Sequence, residues 1–469
     1  MNYSYLIKYL MRNFLFHQSL GKSNQISMSM SFITLFAVLV FSAGCRDMGT
    51  TWKKWFLIQD QKESVELTAE ANGKHLIAGM SFDIIDKAGL HVEWMIPKIP
   101  MSSADKLTCI FYHNGRLYAQ DNHNFLYQFD TYGTLVWSQR LGKATDYCSS
   151  PFFEKGQMLF VAGNAVVTVR ESDGRTTKRM EIKYPIVTSV AGGPNRYYLG
   201  SSNRRFYSIN NKTGLAEWRR VNRELPTGTV AVGHSQVYYV CLDGVLYVTR
   251  NNDKELLWKK VTAGESPGVV VDEDQCFLPS GDTALYCLDG ISGKTIWKFL
   301  SGGSLKDLPV LTKDFVYQSV GHASLACLDR RTDRRDGSLR WQLKRGDSML
   351  AENGPLCYTI THDRKMTVMD NRTGKAVKSI YVPQMDLFAS NTEDATIFMA
   401  NSEGAVLVLK PNRIFGSAPK QPAQEIQPKA EAIEVETPQE GEEKTEVDEE
   451  MSQEGSQEET EGTEEEPEL

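Results

Sequence analysis

The sequence has few of the signals that mark enzymes, metal sites or helical domains. Between residues 105 and 410 there is no long apolar pattern of period 3.6 with caps, which argues against a helical fold. The eight histidines are scattered, without a Ser–His–Asp ordering, and no glycine-rich phosphate loop or defined pair of carboxylates is present. No cysteine or histidine spacing is typical of zinc sites. We therefore expect no catalytic, cofactor-binding or metal-binding residues.

Hydrophobic runs long enough to span a bilayer are also missing from the N-terminal segment. Its apolar run, FITLFAVLVF at residues 32–41, has ten residues, whereas a membrane span needs about 20. Basic residues precede this run and Ser-Ala-Gly-Cys follows it, as in secretory signals. Cys45 after Ala-Gly resembles the lipobox cysteine that is acylated in bacterial lipoproteins. We expect residues 1–45 to be a lipoprotein-type signal peptide with lipidation at Cys45; an ordinary signal or a membrane anchor is the alternative.

Charge of one sign is concentrated at the other end of the chain. The formal net charge is -7, yet residues 425–469 contain 19 Asp and Glu against two Lys and no aromatic residue. Such a segment cannot bury enough apolar surface to offset the entropy of ordering. We predict a disordered acidic tail over residues 411–469 and a linker over residues 46–74. The tail is interpreted as a solubilising segment, with a binding arm for a basic partner as the alternative.

One strand-like motif recurs through the middle of the chain. It reads LYCLD at residues 285–289 and returns every 39 to 41 residues, with its leading residues at positions 126, 166, 206, 246, 285, 325, 366 and 406. Each unit has room for four short strands separated by Gly- and Asp-containing turns. Units of this length and composition are typical of propeller blades. We predict an all-β, eight-bladed propeller over residues 75–410, with seven blades as the alternative.

Tryptophan and glycine follow the same period. The residues in question are Trp94, Trp137, Trp218, Trp258, Trp297 and Trp341, and Gly133, Gly214, Gly293 and Gly337. Each of these glycines stands four residues before a tryptophan, and Lys178 and Lys378 replace the tryptophan in two repeats. We interpret the tryptophans as large anchors that fill the gap between neighbouring blades. The glycines are predicted to form tight turns at positive φ.

The two ends of the repeat region complement each other. The last repeated strand, at residues 406–410, is not followed by a tryptophan strand, whereas HVEWMI around Trp94 precedes the first full repeat. We predict that these two strands share one blade and close the ring. The segment FDIID at residues 82–86 is interpreted as an extra strand or a chance match to the motif.

The pattern LYxLDxxxGxxxW resembles the PQQ-like propeller repeat over roughly residues 75–410. Together with the lipoprotein-like start and eight units, it is similar to the BamB family of envelope lipoproteins. That resemblance implies a monomeric, non-enzymatic scaffold of the β-barrel assembly machinery, without a cofactor or nucleic acid. Its partners would be proteins of an envelope complex, such as a β-barrel assembly protein. It would be held by lipid on a membrane facing the periplasm, and we favour the outer membrane.

Other PQQ-like propellers are enzymes. Quinoprotein dehydrogenases use PQQ and a calcium ion, with a disulfide between adjacent cysteines beneath the quinone. This chain has no Cys-Cys pair, and no CxxCH motif for a covalent haem. A quinoprotein-like oxidoreductase is therefore the alternative function, and an extracytoplasmic ligand-binding or adhesion module is a second.

Two cysteines flank a predicted turn. Cys276 and Cys287 stand five residues either side of Gly281-Asp282, so they could face each other across a hairpin. A disulfide is possible in an oxidising compartment. Cys287 and Cys327 occupy the same place in their repeats, and we therefore favour burial as small core residues.

Some polar residues stand in turns where a partner could bind. His123, His322 and His362 precede repeated strands, and we favour solvated turns over a binding ring. The turn that contains Arg330, with three further arginines, is longer than its counterparts. We interpret it as a solvated loop and as the most conspicuous loop candidate for a partner contact.

Overall fold

The computed structural model describes residues 76–77, 80–193, 195–335 and 337–415. Within these ranges, eight antiparallel sheets of four strands each form a ring, together with one two-stranded sheet and one short helix. The predicted all-β, eight-bladed propeller is confirmed, and the alternative of seven blades is wrong.

Four short elements precede the first blade. They are β1 (Leu76–Ile77), β2 (Met80–Ser81), α1 (Phe82–Lys87) and β3 (Leu90–Ile96). β1 pairs with β2, and β3 belongs to the last blade.

Blades 1 to 4 each consist of four consecutive strands. Blade 1 contains β4 (Leu107–His113), β5 (Arg116–Asp121), β6 (Phe125–Phe129) and β7 (Leu135–Arg140). Blade 2 contains β8 (Phe152–Glu154), β9 (Gln157–Ala162), β10 (Ala165–Arg170) and β11 (Thr176–Glu181). Blade 3 contains β12 (Ala191–Gly193), β13 (Arg196–Ser201), β14 (Arg205–Asn210) and β15 (Ala216–Val221). Blade 4 contains β16 (Pro226–Val232), β17 (Gln236–Cys241), β18 (Val245–Arg250) and β19 (Leu256–Val261).

Blades 5 to 7 follow the same plan, and blade 8 is completed by β3. Blade 5 contains β20 (Val270–Asp272), β21 (Gln275–Pro279), β22 (Ala284–Asp289) and β23 (Thr295–Leu300). Blade 6 contains β24 (Val310–Leu311), β25 (Phe315–Val320), β26 (Ser324–Asp329) and β27 (Leu339–Lys344). Blade 7 contains β28 (Gly346–Asn353), β29 (Leu356–Thr361), β30 (Lys365–Asp370) and β31 (Lys375–Tyr381). Blade 8 contains β32 (Leu387–Ala389), β33 (Ile397–Ala400) and β34 (Val406–Pro411).

The repeated LYxLD motif is the third strand of each blade. In β22 the first five residues are all buried, because the sheet packs against a neighbour on both faces. The fourth strands lie at the outer edge and are far more exposed, as in β31. First strands of neighbouring blades contact each other, for example β8 with β12 and β12 with β16, so these strands line the middle of the ring.

The ring closes as the complementary ends predict. β3 forms the fourth strand of blade 8 by pairing with β34, and Trp94 stands opposite Val408. β32 of blade 8 contacts β4 of blade 1. A blade built from both ends of the repeat region ties the first repeat to the last, which leaves no terminal blade unpaired.

The segment FDIID is not a strand. Residues Phe82–Lys87 form helix α1, in which Ile85 is buried. Ile85 packs among residues of blades 7 and 8, including Leu350 and Leu409. Five residues are too few to distinguish a helix from a strand by periodicity, and contact with this core decides the conformation.

The turn after each third strand explains the Asp and Gly of the motif. The Asp289 carboxylate accepts a hydrogen bond from the Ser292 amide at 2.6 Å, and the Gly293 amide donates to the Asp289 carbonyl oxygen at 2.8 Å. Gly293 adopts φ +71°, a conformation that glycine enters without steric cost. Gly374 stands at the equivalent position of the blade 7 turn and has φ +69°. These local bonds fix the hairpin that returns the chain to the outer edge.

Candidate partner-binding surface

The repeated tryptophans reach from one blade to the next. Trp137 of blade 1 donates a hydrogen bond from Nε1 to the Glu171 carbonyl oxygen of blade 2 at 3.0 Å. Trp94 of blade 8 donates to the Thr131 carbonyl oxygen of blade 1 at 2.9 Å. Three others bond the following blade in the same way: Trp258 to Gly290, Trp297 to Arg330 and Trp341 to the Asn371 side chain. Five of the six repeated tryptophans therefore join neighbouring blades by hydrogen bonds as well as by packing.

The repeated glycines lie against these tryptophans. A Cβ atom on Gly174 would stand 2.3 Å from Trp137, and one on Gly293 would stand 2.5 Å from Trp258. A Cβ atom on Gly133 would stand 2.6 Å from Trp94, and one on Gly337 would stand 3.4 Å from Trp297. Gly214 instead faces Met180, because the preceding blade has Lys178 where the tryptophan would be. The close approach of ring and backbone explains why the turn and the tryptophan keep one register.

The lysine that replaces tryptophan in blade 7 has a partner of its own. Lys378 Nζ donates a hydrogen bond to the carbonyl oxygen of Lys87 at the end of α1. A cation at a helix C-terminus meets carbonyl groups that lack helical partners. Helix α1 therefore occupies the place between blades 7 and 8 that a tryptophan would otherwise fill.

The two cysteines beside the blade 5 turn cannot form a disulfide. Cys276 stands opposite Leu288 and Cys287 stands opposite Phe277, so the two thiols are one register position apart. A shift of one residue places side chains on opposite faces of a sheet. Both cysteines are free and fully buried, and burial raises the pKa of the Cys287 thiol to about 12. The disulfide interpretation is wrong, and both residues are core residues.

The long turn of blade 6 is largely exposed, but its first arginine, Arg330, is buried. Arg330 is 4% exposed, pairs with Asp272 of blade 5 at 2.7 Å and donates to the Gln275 side chain at 3.1 Å. The Arg335 carbonyl oxygen accepts a hydrogen bond from the Lys298 amide on the outer edge of β23. The loop thus covers part of an edge strand of its own ring, and its role in a partner contact stays a prediction.

The three histidines in turns do not gather in one ring. His322 and His362 lie together, with ring centroids 4.5 Å apart, and His362 donates to the Gly321 carbonyl oxygen at 3.2 Å. His123 is elsewhere, 2.6 Å from the Asp105 carboxylate. Across the described ranges, no three His, Cys, Asp or Glu side chains are arranged to hold a metal ion.

Two further findings concern the membrane and the chain ends. Among the described residues, no helix has the length and hydropathy needed to cross a bilayer. The predicted lipidation site Cys45, the linker and the acidic tail lie outside the described residues. Their roles stay predictions.

A surface that the sequence reading missed lies on the outer strands of blades 3 and 4. β15 carries Trp-Arg-Arg-Val and β19 carries Trp-Lys-Lys-Val at the same repeat position, 40 residues apart. The two valines, Val221 and Val261, are 69% and 63% exposed. Blade 5 places Leu300 at the same position, 67% exposed. Three consecutive blades therefore present an exposed aliphatic side chain at one level of the rim.

Basic side chains flank these aliphatic residues. Arg219 and Lys259 are exposed, whereas Arg220 and Lys260 point towards the next blade. The Arg220 guanidinium lies 5.7 Å from the centre of the Tyr247 ring, and Lys260 Nζ donates to the Thr295 hydroxyl at 2.9 Å. Glu217 of β15 is paired with Arg196 of β13, and no acidic residue occurs in the stretches 218–223 and 258–261. The surface is both apolar and positively charged.

Each of the two outer strands has one open edge. Within the described ranges, β15 pairs only with β14, and β19 pairs only with β18. Open edges expose unpaired backbone groups to which an extended segment can add. On β23 the blade 6 loop already uses one such group, the Lys298 amide. We name the outer faces and edges of β15 and β19 the rim surface, and it is the candidate partner-binding site. The repeated Trp-basic-basic-Val sequence was the signal that could have found it.

The eight blades, their third-strand motif and the Trp–Gly contacts define the class of protein: a β-propeller built from PQQ-like repeats. The family described as outer membrane protein assembly factor BamB matches residues 122–251 and 242–421. These matches span more than half of the chain, and the chain therefore belongs to this family. The comparison with curated proteins gave no match.

Solved structures with the same fold include a natural and a designed protein. BamB from Moraxella catarrhalis is 12% identical, with a TM-score of 0.52, and covers 68% of this chain and 97% of its own. The computationally designed Ika8 protein is 11% identical, with a TM-score of 0.53, and covers 66% of this chain and 98% of its own. The chain is about as similar to a designed protein as to a natural BamB. These similarities therefore show the fold alone, because function resides in sites carried by folds.

Proposed function

We propose that this protein is a lipid-anchored, non-enzymatic scaffold that binds protein partners in the bacterial envelope, with a BamB-like role in outer membrane protein assembly. The observation that carries the proposal is the match to the BamB family over residues 122–251 and 242–421. The exposed aliphatic and basic rim surface supports it, because such a patch on a rigid ring suits a macromolecular partner.

The proposed mechanism is recognition by a rigid surface. Interblade tryptophans such as Trp137, which is 5% exposed, hold the blades in fixed positions. Because the scaffold is already ordered, binding of a partner to the rim surface costs little further conformational entropy of the scaffold. Open strand edges provide backbone hydrogen bonds, and Val221 and Val261 provide apolar contacts.

Affinity purification of the full chain from envelope membranes of the native bacterium tests the proposal. We expect an outer membrane β-barrel assembly protein to be retained by the wild type. V261D places a carboxylate in the apolar part of the rim surface, and it should reduce retention. Y381D is the matched control, because Tyr381 ends the fourth strand of blade 7 as Val261 does in blade 4 and is also exposed. Failure of the wild type to retain any assembly protein would contradict the proposal.

The oxidoreductase alternative is tested on the same purified protein. Addition of PQQ and Ca²⁺ should leave no quinone absorbance with the protein after gel filtration and no dye reduction with alcohols or sugars. Retained quinone together with dye reduction would replace the scaffold with a quinoprotein-like enzyme. Retention of a small molecule or of a cell-surface ligand in place of an assembly protein would support the ligand-binding or adhesion module.

A further inference from the structure

Buried polar atoms without hydrogen-bond partners concentrate at the border between blades 3 and 4. In the described part of the chain, nine buried side-chain nitrogen and oxygen atoms lack a hydrogen bond, and one of them, Arg330 Nη2, forms an ion pair with Asp272. Five of the others belong to this single border: Ser208 Oγ, Trp218 Nε1, Arg220 Nε, Asn222 Nδ2 and Thr249 Oγ1. Buried polar groups are normally paired, so this concentration requires an explanation.

Strand pairing and contacts place these five atoms on facing sides of the two blades. Trp218, Arg220 and Asn222 alternate along the outer strand of blade 3 and its continuation, so they share one face. Trp218 and Tyr247 of blade 4 pack against one buried cluster, which also contains Tyr239 of blade 4. Ser208 stands opposite Trp218. Thr249 stands opposite Val237, which packs in the same cluster.

Two of the side chains are held so that their donors point away from their present partners. Asn222 is 6% exposed, and its Oδ1 accepts a hydrogen bond from the Tyr239 hydroxyl at 2.9 Å. That bond fixes the amide and leaves Nδ2 as a donor without an acceptor. Arg220 donates from Nη1 to the Lys254 carbonyl oxygen at 3.4 Å, while Nε has no partner. The Nε edge of a guanidinium is one of the edges that bind a carboxylate with two hydrogen bonds.

The corresponding indole is satisfied at other borders. Trp94, Trp137, Trp258 and Trp297 each donate to a backbone carbonyl oxygen of the next blade, and Trp341 donates to a side-chain oxygen. At the blade 3–4 border, the matching carbonyl oxygen of Asn251 accepts from the Tyr198 hydroxyl at 2.8 Å, as that of Gly290 does from Tyr238, but the Trp218 indole does not join it. Blades 3 and 4 thus depart from the repeat at the place where the rim surface lies.

We infer that the blade 3–4 border binds carboxylate side chains from an acidic, extended segment of a partner protein, with Arg220, Asn222 and the Trp218 indole as separate donors along the strand. The three named atoms can only donate, and the two hydroxyls can donate as well, so the ligand must supply acceptors. The open edge of β15 and the exposed Val221 beside it fit a polypeptide with apolar residues between its acidic ones. This inference rests on the proposed function and names the partner's chemistry.

The test uses the full chain and a fluorescent peptide of eight alternating glutamate and valine residues, read by fluorescence anisotropy at low salt. A peptide with glutamine for glutamate is the ligand control. R220Q should weaken binding about tenfold or more, because hydrogen bonds to charged groups are lost. R219Q is the matched control, since Arg219 has the same charge, lies on the same strand and is exposed on the other face. It should weaken binding less than about threefold.

Further arms keep the assignment open to refutation. R220K retains the charge but not the planar pair of donors. It should bind more weakly than the wild type while unfolding at a similar temperature, which also covers failure of R220Q to fold. Equal losses for R219Q and R220Q, or equal binding of the glutamine peptide, would overturn the inference. Competition by millimolar inorganic phosphate as strong as that by free glutamate peptide would also overturn it, because the site would then recognise anions in general.

The same experiment also tests whether the chain's own acidic segment or water, in place of a partner, binds at the blade 3–4 border. Binding of the peptide only to a variant that lacks residues 425–469 would assign the acceptors to the chain's own acidic segment and overturn a partner. No binding by any form, while the full chain still retains an assembly protein from membranes, would assign these donors to water and leave the proposed function intact. Failure of the wild-type full chain to retain an assembly protein from membranes would instead contradict the proposed function itself.

Discussion

Replacing Gly174 with alanine measures how far the interblade tryptophans hold the ring together. The new Cβ would lie 2.3 Å from Trp137 Cδ2, well inside contact distance, and Trp137 is 5% exposed with its Nε1 bonded to the Glu171 carbonyl oxygen. The ring must therefore move, since it has no open space on that side. Gly156 of the same blade is the matched control: its φ is +73° against +69° for Gly174, and a Cβ there meets no atom within 4 Å.

The two variants share one cost and differ in another. A left-handed conformation without glycine costs about 1–2 kcal/mol in both. In G174A, overpacking adds about 1–3 kcal/mol, and loss of the indole hydrogen bond adds about 1 kcal/mol. We expect G174A to lower the free energy of unfolding by about 3–6 kcal/mol and G156A by about 1–2 kcal/mol. Urea unfolding followed by circular dichroism and tryptophan fluorescence measures both. Equal losses would refute the tryptophan–glycine contact as a source of stability.

Three further predictions concern a buried acid, a backbone contact and the lipid anchor. Burial raises the pKa of Glu352 above its ordinary value, so the folded state holds the proton more tightly. The free energy of unfolding therefore falls as pH rises from the ordinary pKa of glutamate through the raised one. E352Q should flatten that fall in urea titrations at a series of pH values that starts at the ordinary pKa, and an unchanged slope would contradict it. G228A should lower the free energy of unfolding by at least about 3 kcal/mol, because φ at Gly228 is +68° and a Cβ would stand 2.1 Å from the Pro267 carbonyl oxygen. A loss of stability no larger than that of G156A would contradict this prediction. C45S should move the protein from the membrane fraction to the soluble fraction, and mass spectrometry of the wild type should find acyl chains on the cysteine; an unmodified Cys45 would refute the anchor.

Much of the fold is predictable from the sequence because its signals are periodic. The 40-residue step recurs in all eight blades and the tryptophan in six of them, so several independent observations support each interpretation. The closing strand around Trp94 was predictable because one unit lacked a tryptophan strand and the other end offered one. Helix α1 was not predictable, since Ile85 is held by a core formed between blades 7 and 8.

The candidate site was harder to predict because it depends on contacts between distant segments. Cys276 and Cys287 look symmetrical in sequence, yet a register one residue away from that symmetry separates their side chains. Arg330 looks solvated within its charged turn, but Asp272, which pairs with it, lies 58 residues earlier in the chain. The donors at the blade 3–4 border are ordinary residues in sequence, and only the packing of two blades leaves them without acceptors.

The most direct test of the scaffold is cross-linking from the rim in intact cells. A photo-reactive amino acid at position 261 replaces an exposed valine of blade 4, and one at position 381 replaces the exposed tyrosine at the same place in blade 7. We predict that position 261 cross-links to an outer membrane β-barrel assembly protein and that position 381 does so much less. Equal cross-linking from both positions, or none from position 261 while the protein is membrane-bound, would contradict the account.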